Sequence, residues 1–370
     1  MAIITSTSFK GTTTEALAAT AAEIKASTKV TITDNTYTAA NLIAILAKTN
    51  NLPVVLEKTA AGIPLSAPYA DIVTIIEGVN KYTGSLTATG NVPAEQLNII
   101  AKGTTGKVTA TLDPATTTIN AATVTALKDV NSTDNITFVT TETEIVGKSN
   151  LEAFVALNKK LSDPNWATIV KFEGAAPELS AIKSALGIKK TAAVTITGQI
   201  SAADANAIAK ATDGALTATI NSGSVAATLK ALADVDATDD ITFTTTDKTV
   251  NARDLVKLNG KIKNSANFDV TSIETITENA KDVGANAVNV TKALLIAVDA
   301  DVKITGSISA TIADLIALDT AGVVTATINS GTASNLLTAL TDATVNAYTI
   351  TLLAGTAAAK DLTDLDAKTS

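Results

Sequence analysis

The phrase LTATG at residues 86–90 returns as VTITG at 194–198 and as VKITG at 302–306, in two steps of 108 residues. A second phrase keeps the same step, reading VTATL at 108–112, LTATI at 216–220 and VTATI at 324–328. Self-similarity at a long fixed period is the signature of a repeat architecture. We therefore expect stacked copies of one supersecondary motif, which build extended surfaces.

Each long repeat divides into four pieces that read as a strand followed by a helix. In the central repeat the strands start at Val194, Leu216, Ile241 and Val270, and the next repeat opens at Val302. Apolar residues alternate with threonine along them, which indicates strands with one buried and one open face. The intervening stretches SVAATLKAL and NARDLVKLNGKI carry apolar residues at helical spacing.

Helix starts are marked by Ser201 with Asp204 three residues later, and by Pro93 in the equivalent place one repeat earlier. Short connections between strands and helices imply parallel neighbouring strands and right-handed crossovers. The predicted fold class is α/β: a right-handed solenoid of strand–helix repeats, with a parallel sheet on one side and short helices on the other.

We predict one continuous solenoid in four parts. They are a partial N-terminal repeat unit with a proline-containing insertion (1–85), two full repeat units (86–193 and 194–301), and a partial C-terminal repeat unit or cap (302–370).

Composition removes most familiar catalytic chemistry. The 370 residues are 46% apolar and 3% aromatic, with no histidine, no cysteine and one tryptophan, Trp166. The commonest general base, thiolate nucleophiles, disulfides and structural zinc sites are therefore absent. The sequence contains no P-loop, nucleotide-binding glycine motif or nucleophile elbow, and no carboxylate pair stands out as a catalytic dyad. We predict a non-enzymatic protein with no catalytic residues, and we interpret Trp166 as a packing residue.

Charge and hydropathy limit the partners. The formal net charge of −8 argues against a nucleic acid, because neutralising phosphates requires clustered lysine and arginine. No apolar run reaches the roughly 18 residues that would predict a membrane span. The opening MAIITSTSFK lacks the basic start and the long apolar segment of a cleaved secretory signal. We predict neither nucleic-acid binding, nor membrane insertion, nor a cleaved N-terminal signal peptide.

Threonines on the open faces of the strands form the first candidate site. If the helices cover one sheet face, these threonines line the other in two parallel ladders: Thr87, Thr89, Thr109, Thr111, Thr195, Thr197, Thr217, Thr219, Thr325 and Thr327. One interpretation is that threonine simply solubilises an exposed sheet face. Alternatives are a surface-binding face and an ice-binding plane, since rows of T-x-T on a parallel sheet resemble those of β-helical antifreeze proteins.

Acidic turns form the second candidate site. Asp234, Asp236, Asp239 and Asp240 lie in one short loop, and the counterpart loops hold further aspartates and asparagines. Clustered oxygens suit calcium, a cation that takes six to eight oxygen ligands. Asp and Asn are also ordinary turn and N-cap residues. Calcium is therefore the single candidate in a chain for which we otherwise predict no cofactor.

The stretch VTITGQISAADANAIAKATDGALTATINSGSVAATLKAL at residues 194–232 resembles the Ala/Thr/Asp-rich repeats of very large bacterial cell-surface and S-layer-like secreted proteins, notably those of cyanobacteria. The resemblance implies an extracellular location, a structural or adhesive role, and export without a cleaved N-terminal peptide. The chain lacks the glycine-rich calcium nonapeptides that accompany many such proteins.

The expected function is that of an extracellular structural protein, which self-assembles into a cell-surface layer or filament as solenoids stack end to end or side by side. Its principal partner is then another copy of itself. The alternatives are an adhesin or receptor-binding fibre module that grips a cell-surface glycan, and an ice-binding protein that uses the threonine ladders.

Overall fold

The computed structural model describes residues 3–5, 8–57, 62–284, 287–342 and 344–369. The chain folds into two compact units. The first comprises Met1–Gly174 and Ser180–Lys189, and the second comprises Ala175–Leu179 and Lys190–Ser370.

Short strands and helices alternate up to residue 186. The strands are β1 (Ile3–Thr5), β2 (Ser8–Gly11), β3 (Val30–Ile32), β4 (Val54–Leu56), β5 (Leu65–Pro68), β6 (Val79–Asn80), β7 (Leu86–Val92), β8 (Val108–Leu112), β9 (Asn135–Val139), β10 (Glu144–Val146), β11 (Asp163–Asn165) and β12 (Lys171–Ala175). The helices are α1 (Thr13–Ala18), α2 (Ala21–Lys25), α3 (Ala39–Thr49), α4 (Tyr69–Gly78), α5 (Ala94–Gly103), α6 (Ala121–Ala126), α7 (Lys148–Lys160) and α8 (Leu179–Leu186).

The same alternation continues in the rest of the chain. The strands are β13 (Ala193–Ile200), β14 (Leu216–Ile220), β15 (Asp240–Thr244), β16 (Thr249–Asn251), β17 (Phe268–Asp269), β18 (Thr275–Asn279), β19 (Asp301–Ile308), β20 (Val324–Gly331) and β21 (Ala347–Leu352). The helices are α9 (Ala202–Ala211), α10 (Val225–Ala231), α11 (Ala252–Asn259), α12 (Ala280–Val283), α13 (Val288–Leu294), α14 (Ala310–Asp319), α15 (Ala333–Ala339) and α16 (Ala359–Asp366). Single 3₁₀ turns lie at Ala176–Glu178 and Ser265–Asn267. None of the helices in the described ranges combines the length and the apolar character needed to cross a membrane.

The sheets are parallel, with one exception at the N-terminal edge. In the first unit one sheet has the strand order β1-β2-β3-β4-β6, a second has the order β5-β7-β8-β9-β11, and β10 pairs with β12. In the second unit the orders are β13-β14-β15-β17 and β16-β18-β19-β20-β21. Only β1 and β2 pair antiparallel among these described strands. The predicted α/β class with parallel strand pairing is confirmed.

The core of each unit lies between the sheets and the helices. In β8, Val108, Ala110 and Leu112 are buried while the threonines between them are open to solvent. Helices contribute one apolar stripe each, as α11 does with Leu255 and Leu258. Burying a side chain such as leucine or valine stabilises the fold by about 1.5–3 kcal/mol. The alternation that predicted these strands is therefore also what builds the core.

Aromatic packing is concentrated in the first unit. Trp166 is buried and makes edge-on contacts with Phe138 and Phe154, with ring centroids 5.8 and 4.9 Å away. Phe154 also contacts Phe172 at 5.5 Å. The interpretation of Trp166 as a packing residue is confirmed.

The helix starts also match the sequence signals. Ser201 is the N-cap of α9, and its hydroxyl accepts a hydrogen bond of 3.0 Å from the backbone N–H of Asp204. Pro93 occupies the N-cap position of α5. Because the first N–H groups of a helix lack partners within it, a serine here supplies an acceptor that the backbone does not.

The repeated glycine phrase forms a bulge that the alternation did not predict. Thr195 lies opposite Thr217, but the next described pair is Gln199 with Thr219, so β13 carries two extra residues. The same shift occurs in β7 and in β19. The glycines within these three bulges, Gly90, Gly198 and Gly306, have φ of 83°, 84° and 95°. An L-residue rarely adopts such a backbone conformation, which explains why the phrase ends in glycine each time.

We predict that Gly198→Ala destabilises the protein by about 1–2 kcal/mol, because alanine pays a steric penalty at positive φ. Space is not the issue, since the nearest atom to an added Cβ would be that of Ala176 at 3.8 Å. Gly260→Ala is the matched control in the same unit, as Gly260 has φ of −68°. Urea denaturation followed by circular dichroism measures both. Equal midpoints for the two variants would show that the bulge does not need glycine.

Candidate binding face and acidic turns

All ten threonines of the predicted face are at least partly open to solvent. Thr87, Thr109, Thr195 and Thr219 are half-buried, and the other six are exposed. Their strand neighbours, such as Val194 and Leu216, are buried. The threonines therefore lie on the sheet face that the core does not cover.

The first of the two predicted ladders is present in part. Thr87 lies opposite Thr109 in one sheet, and Thr195 lies opposite Thr217 in another. In the third copy of the motif, Lys303 takes the corresponding place opposite Thr325.

The second predicted ladder is wrong, because the bulges change which residues face each other. Asn91, not Thr89, lies opposite Thr111, and Gln199, not Thr197, lies opposite Thr219. Ser307 lies opposite Thr327 in the last copy. The sequence reasoning missed these three polar residues. A signal was available in the sequence, since position 90 is glycine and the next large apolar residue after Ala88 is Val92.

The rows continue into other polar residues. Thr109 lies opposite Asn135, and Thr217 lies opposite Asp240. The Asp240 carboxylate in turn accepts a hydrogen bond of 2.6 Å from the Asn267 side chain. The open face thus presents hydroxyl, amide and carboxylate groups together.

The acidic loop uses its carboxylates inside the protein. Asp239 is only 5% exposed. Its Oδ1 accepts a hydrogen bond of 2.7 Å from the backbone N–H of Leu216 in β14, and its Oδ2 accepts one of 3.1 Å from the N–H of Asp236. The N–H of Leu216, the first of the neighbouring strand, is buried, and Asp239 supplies its acceptor.

This bond recurs at equivalent places in the chain. The Oδ1 atoms of Asp134 and Asn346 accept hydrogen bonds from the backbone N–H groups of Val108 and Val324, at 3.0 and 2.9 Å. All three acceptor residues are buried. Because asparagine replaces aspartate in the last copy, the role requires an acceptor oxygen rather than a negative charge.

The other two aspartates of the loop are also hydrogen-bonded. The Asp236 carboxylate accepts bonds of 2.6 and 2.7 Å from the hydroxyl and the N–H of Thr238, which together lower the pKa of Asp236. Asp234 exchanges two bonds with Asn206: its carboxylate accepts from the amide group, and its N–H donates to the amide oxygen.

A lysine ammonium lies against the same loop. Lys261 Nζ donates to the carbonyl oxygens of Val235 and Ala233, at 2.7 and 3.2 Å. Lys160 does the same in the first unit, with three carbonyl oxygens between Leu127 and Val130 at 3.1–3.3 Å. A protein cation thus already neutralises part of the electronegative potential of each loop.

The four predicted calcium ligands are therefore engaged with different partners. Among the residues that the structure describes, no three Asp, Glu, His or Cys side chains are arranged to hold a metal ion. The nearby amide, hydroxyl and ammonium groups account for the acidic composition of the loop on structural grounds.

No protein-family model and no curated protein matches the sequence.

We predict that Asp239→Ala lowers the free energy of unfolding by about 1–3 kcal/mol, because the buried N–H of Leu216 loses its acceptor. Asp239→Asn keeps that acceptor, as Asn346 does naturally, and costs less. Urea midpoints of the two variants give the comparison. A loss as large for asparagine as for alanine would mean that the charge of Asp239, and not its hydrogen bond, stabilises the loop.

We also predict that millimolar calcium raises the thermal midpoint no more than magnesium at the same concentration. The loop carboxylates already accept hydrogen bonds, and these donors compete with a cation for the carboxylate oxygens. Differential scanning calorimetry in chelator, calcium and magnesium is the measurement. A calcium-specific rise that Asp236→Asn abolishes would restore the calcium hypothesis for this loop.

Proposed function

We propose that the chain is a non-enzymatic structural protein of the cell surface, whose copies assemble into a layer or filament. The observation that carries this proposal is a group of exposed apolar residues on α13, on α14 and in the segments that follow these helices in the second unit. We call it the α13–α14 patch, and it consists of Val288, Leu295, Val298, Leu315, Leu318 and Val323.

The patch belongs to neighbouring elements. Leu295 and Val298 follow α13, and Leu315 and Leu318 lie on α14, which packs beside α13. Leu295 is 85% exposed, Leu318 60% and Val298 58%. Single exposed apolar residues are ordinary, but a group of them on adjacent elements is typical of a contact surface.

The preceding repeat provides an internal comparison. The residues 108 positions before the six members of the patch are Ser180, Gly187, Lys190, Ala207, Lys210 and Ala215. The same backbone positions therefore carry small or charged residues in one copy and valine or leucine in the next. The fold does not require apolar residues at these positions, which favours an interface as the reason for them.

The strength of such a contact follows from the apolar area. Fully burying a leucine or valine is worth about 1.5–3 kcal/mol relative to leaving it exposed. Several such residues covered in one interface, repeated on each copy, would support an ordered assembly. The partner that we propose is a second copy of the chain, which presents the same apolar patch.

The matching experiment is sedimentation analysis and negative-stain electron microscopy of the wild type and of Val298→Lys/Leu318→Lys. These changes introduce the residue that the preceding repeat carries at the equivalent positions, Lys190 and Lys210. We expect ordered sheets or filaments from the wild type, and separate particles from the variant.

The control is Val146→Lys/Val170→Lys, which alters two exposed valines of the first unit outside the patch. It should assemble as the wild type does. A wild type that stays monomeric at high concentration would refute the proposal, and assembly that survives the patch variant would refute this interface.

A second candidate, an adhesin that grips a glycan, rests on the open sheet face. The rows there combine Thr217 with Asp240 and Thr109 with Asn135, and such mixed groups can donate to and accept from sugar hydroxyls. An adhesin should remain a discrete oligomer and bind on a glycan array. The ice-binding hypothesis is supported less, because the bulges interrupt the rows of threonine.

We also propose that the coils of each unit, meaning one strand with its following helix, wind as a right-handed solenoid. The support is the parallel pairing of successive strands through intervening helices, a connection that is right-handed in about 98% of cases.

A further inference from the structure

One row on the open sheet face of the first unit differs from the rows of threonine described above. Its members, in order across β2, β3, β4 and β6, are Lys10, Thr31, Val55 and Asn80. Val55 is half-buried and lies between the buried Val54 and Leu56, so it belongs to the open face. The row therefore presents a lysine and an apolar side chain where the later sheets present threonine, asparagine or aspartate.

A cleft of about 810 Å³ lies beside Val55. Two lysines, two apolar residues, an amide and a hydroxyl line it: Lys29 and Lys81, Pro53 and Val55, Asn80, and Thr83. None of the described residues that line the cleft is acidic. An apolar wall combined with a few polar groups, in a volume between about 300 and 1,000 Å³, is typical of a ligand site.

The lysines give this cleft a positive character. Lys29 and Lys81 are both exposed, and each ammonium sits on a flexible four-carbon stem, so it can reach a ligand in the cleft without a change in the backbone. The carboxylate that follows β4, that of Glu57, is already paired with Lys10 at 2.6 Å. The cleft therefore favours an anionic ligand.

The charge of the surrounding segment does not oppose an anion. Residues 1–85 carry six lysines and six acidic residues, whereas the whole chain has a net charge of −8. The segment that forms the cleft is thus neutral, and the acidic excess belongs to the rest of the sequence.

The backbone at Lys81 also favours a role for its side chain. Lys81 has φ of 58°, in the left-handed region that glycine and asparagine usually occupy, and it directly follows β6. Such a backbone conformation costs stability for a lysine, and residues held in this way concentrate at binding sites.

The spacing of the two lysines favours an extended ligand. Lys29 precedes β3, Lys81 follows β6, and β4 lies between these two strands. At about 4.8 Å per strand, the lysines start roughly 10 Å apart across the sheet. A ligand with acidic groups spaced along a chain meets both of them without either side chain stretching across the cleft.

We propose that this cleft binds an acidic oligosaccharide whose sugars carry carboxylates. Lys29 and Lys81 would pair with two of these carboxylates. Asn80 and Thr83 would exchange hydrogen bonds with the sugar hydroxyls, and Val55 would pack against the apolar face of a ring.

The proposal gives the glycan-binding candidate function a site and a ligand class. It does not rest on self-assembly, because every residue that lines the cleft lies in the first unit and the α13–α14 patch lies in the second.

The test is saturation-transfer NMR of the wild-type protein with the α-1,4-linked tetramer of galacturonate and with the neutral α-1,4-linked tetramer of galactose. The two probes share their rings and linkage, but only the first carries carboxylates. We expect saturable binding of the acidic tetramer, weakened by added sodium chloride, and about tenfold weaker binding of the neutral tetramer, which forms no ion pairs. Sedimentation of the same samples reports self-assembly separately.

Three double variants locate the site. Lys29→Ala/Lys81→Gly removes both ammonium groups, and glycine suits the backbone at 81, so binding of the acidic tetramer should fall to the level of the neutral one. Lys29→Arg/Lys81→Arg keeps both charges and should retain binding. Lys25→Ala/Lys102→Ala is the matched control, since it removes two exposed lysines from α2 and α5 of the same unit, and it should leave binding unchanged. Circular dichroism verifies folding, and the comparison of the two tetramers on the wild type remains decisive if a variant does not fold.

Four results would overturn the proposal. They are the absence of saturable binding of the acidic tetramer, equal affinity for the two tetramers, an equal loss of binding in Lys25→Ala/Lys102→Ala, and displacement of the tetramer by the same concentration of inorganic sulfate. The third would mean that general charge attraction holds the ligand, and the fourth would mean that the cleft holds any single anion rather than an oligosaccharide.

Discussion

Each coil of this protein depends on the next one for its buried backbone hydrogen bonds. In a parallel sheet a strand pairs with a strand from another coil, and here the first N–H of β14 also requires the carboxylate of Asp239, which precedes β15. A buried N–H without an acceptor costs far more than an ordinary hydrogen bond contributes, so the acceptor is retained in each copy as Asp134, Asp239 or Asn346. The lysines that bind loop carbonyls act in the same direction, since Lys160 and Lys261 tie the end of one helix to the turn of the preceding coil. The acidic loop, whose composition suggests a metal site, thus supplies hydrogen bonds that connect one coil to the next.

The glycine phrase has a comparable structural explanation. Each of β7, β13 and β19 carries two extra residues, which shift the pairing with the next strand. As a result Asn91, Gln199 and Ser307, rather than threonines, lie opposite the second threonine of that strand. The result is a mixed polar surface in place of a regular threonine array. Regular arrays suit a lattice, whereas a mixed row of hydroxyl, amide and carboxylate groups suits solvent or a hydroxyl-rich partner. The bulge therefore bears directly on which functions the sheet face can perform.

The proposed interface comes from a place where equivalent copies differ. Lys190 and Lys210 become Val298 and Leu318 one repeat later, and the apolar side chains remain exposed. Identical features explain how the copies fold. Features found in one copy alone are free of that requirement, and for this reason we base the proposed interface on them.

Sequence alone determined the class of fold and most of the strand and helix positions, although it started one strand at Val270 where the structure has β17 at Phe268–Asp269. The alternation in VTATL shows directly which side chains are buried, because side chains on a strand point to opposite faces in turn, and Ser201 marks its helix through a contact three residues away. The tertiary structure decided which residues pair across neighbouring strands and which side chains accept the buried backbone hydrogen bonds. The bond from Leu216 to Asp239 spans 23 residues, and the pairing of Gln199 with Thr219 depends on a change of register. Neither leaves a local pattern, because a parallel sheet joins residues from different coils, and the choice among possible partners is made by the packing of the whole unit.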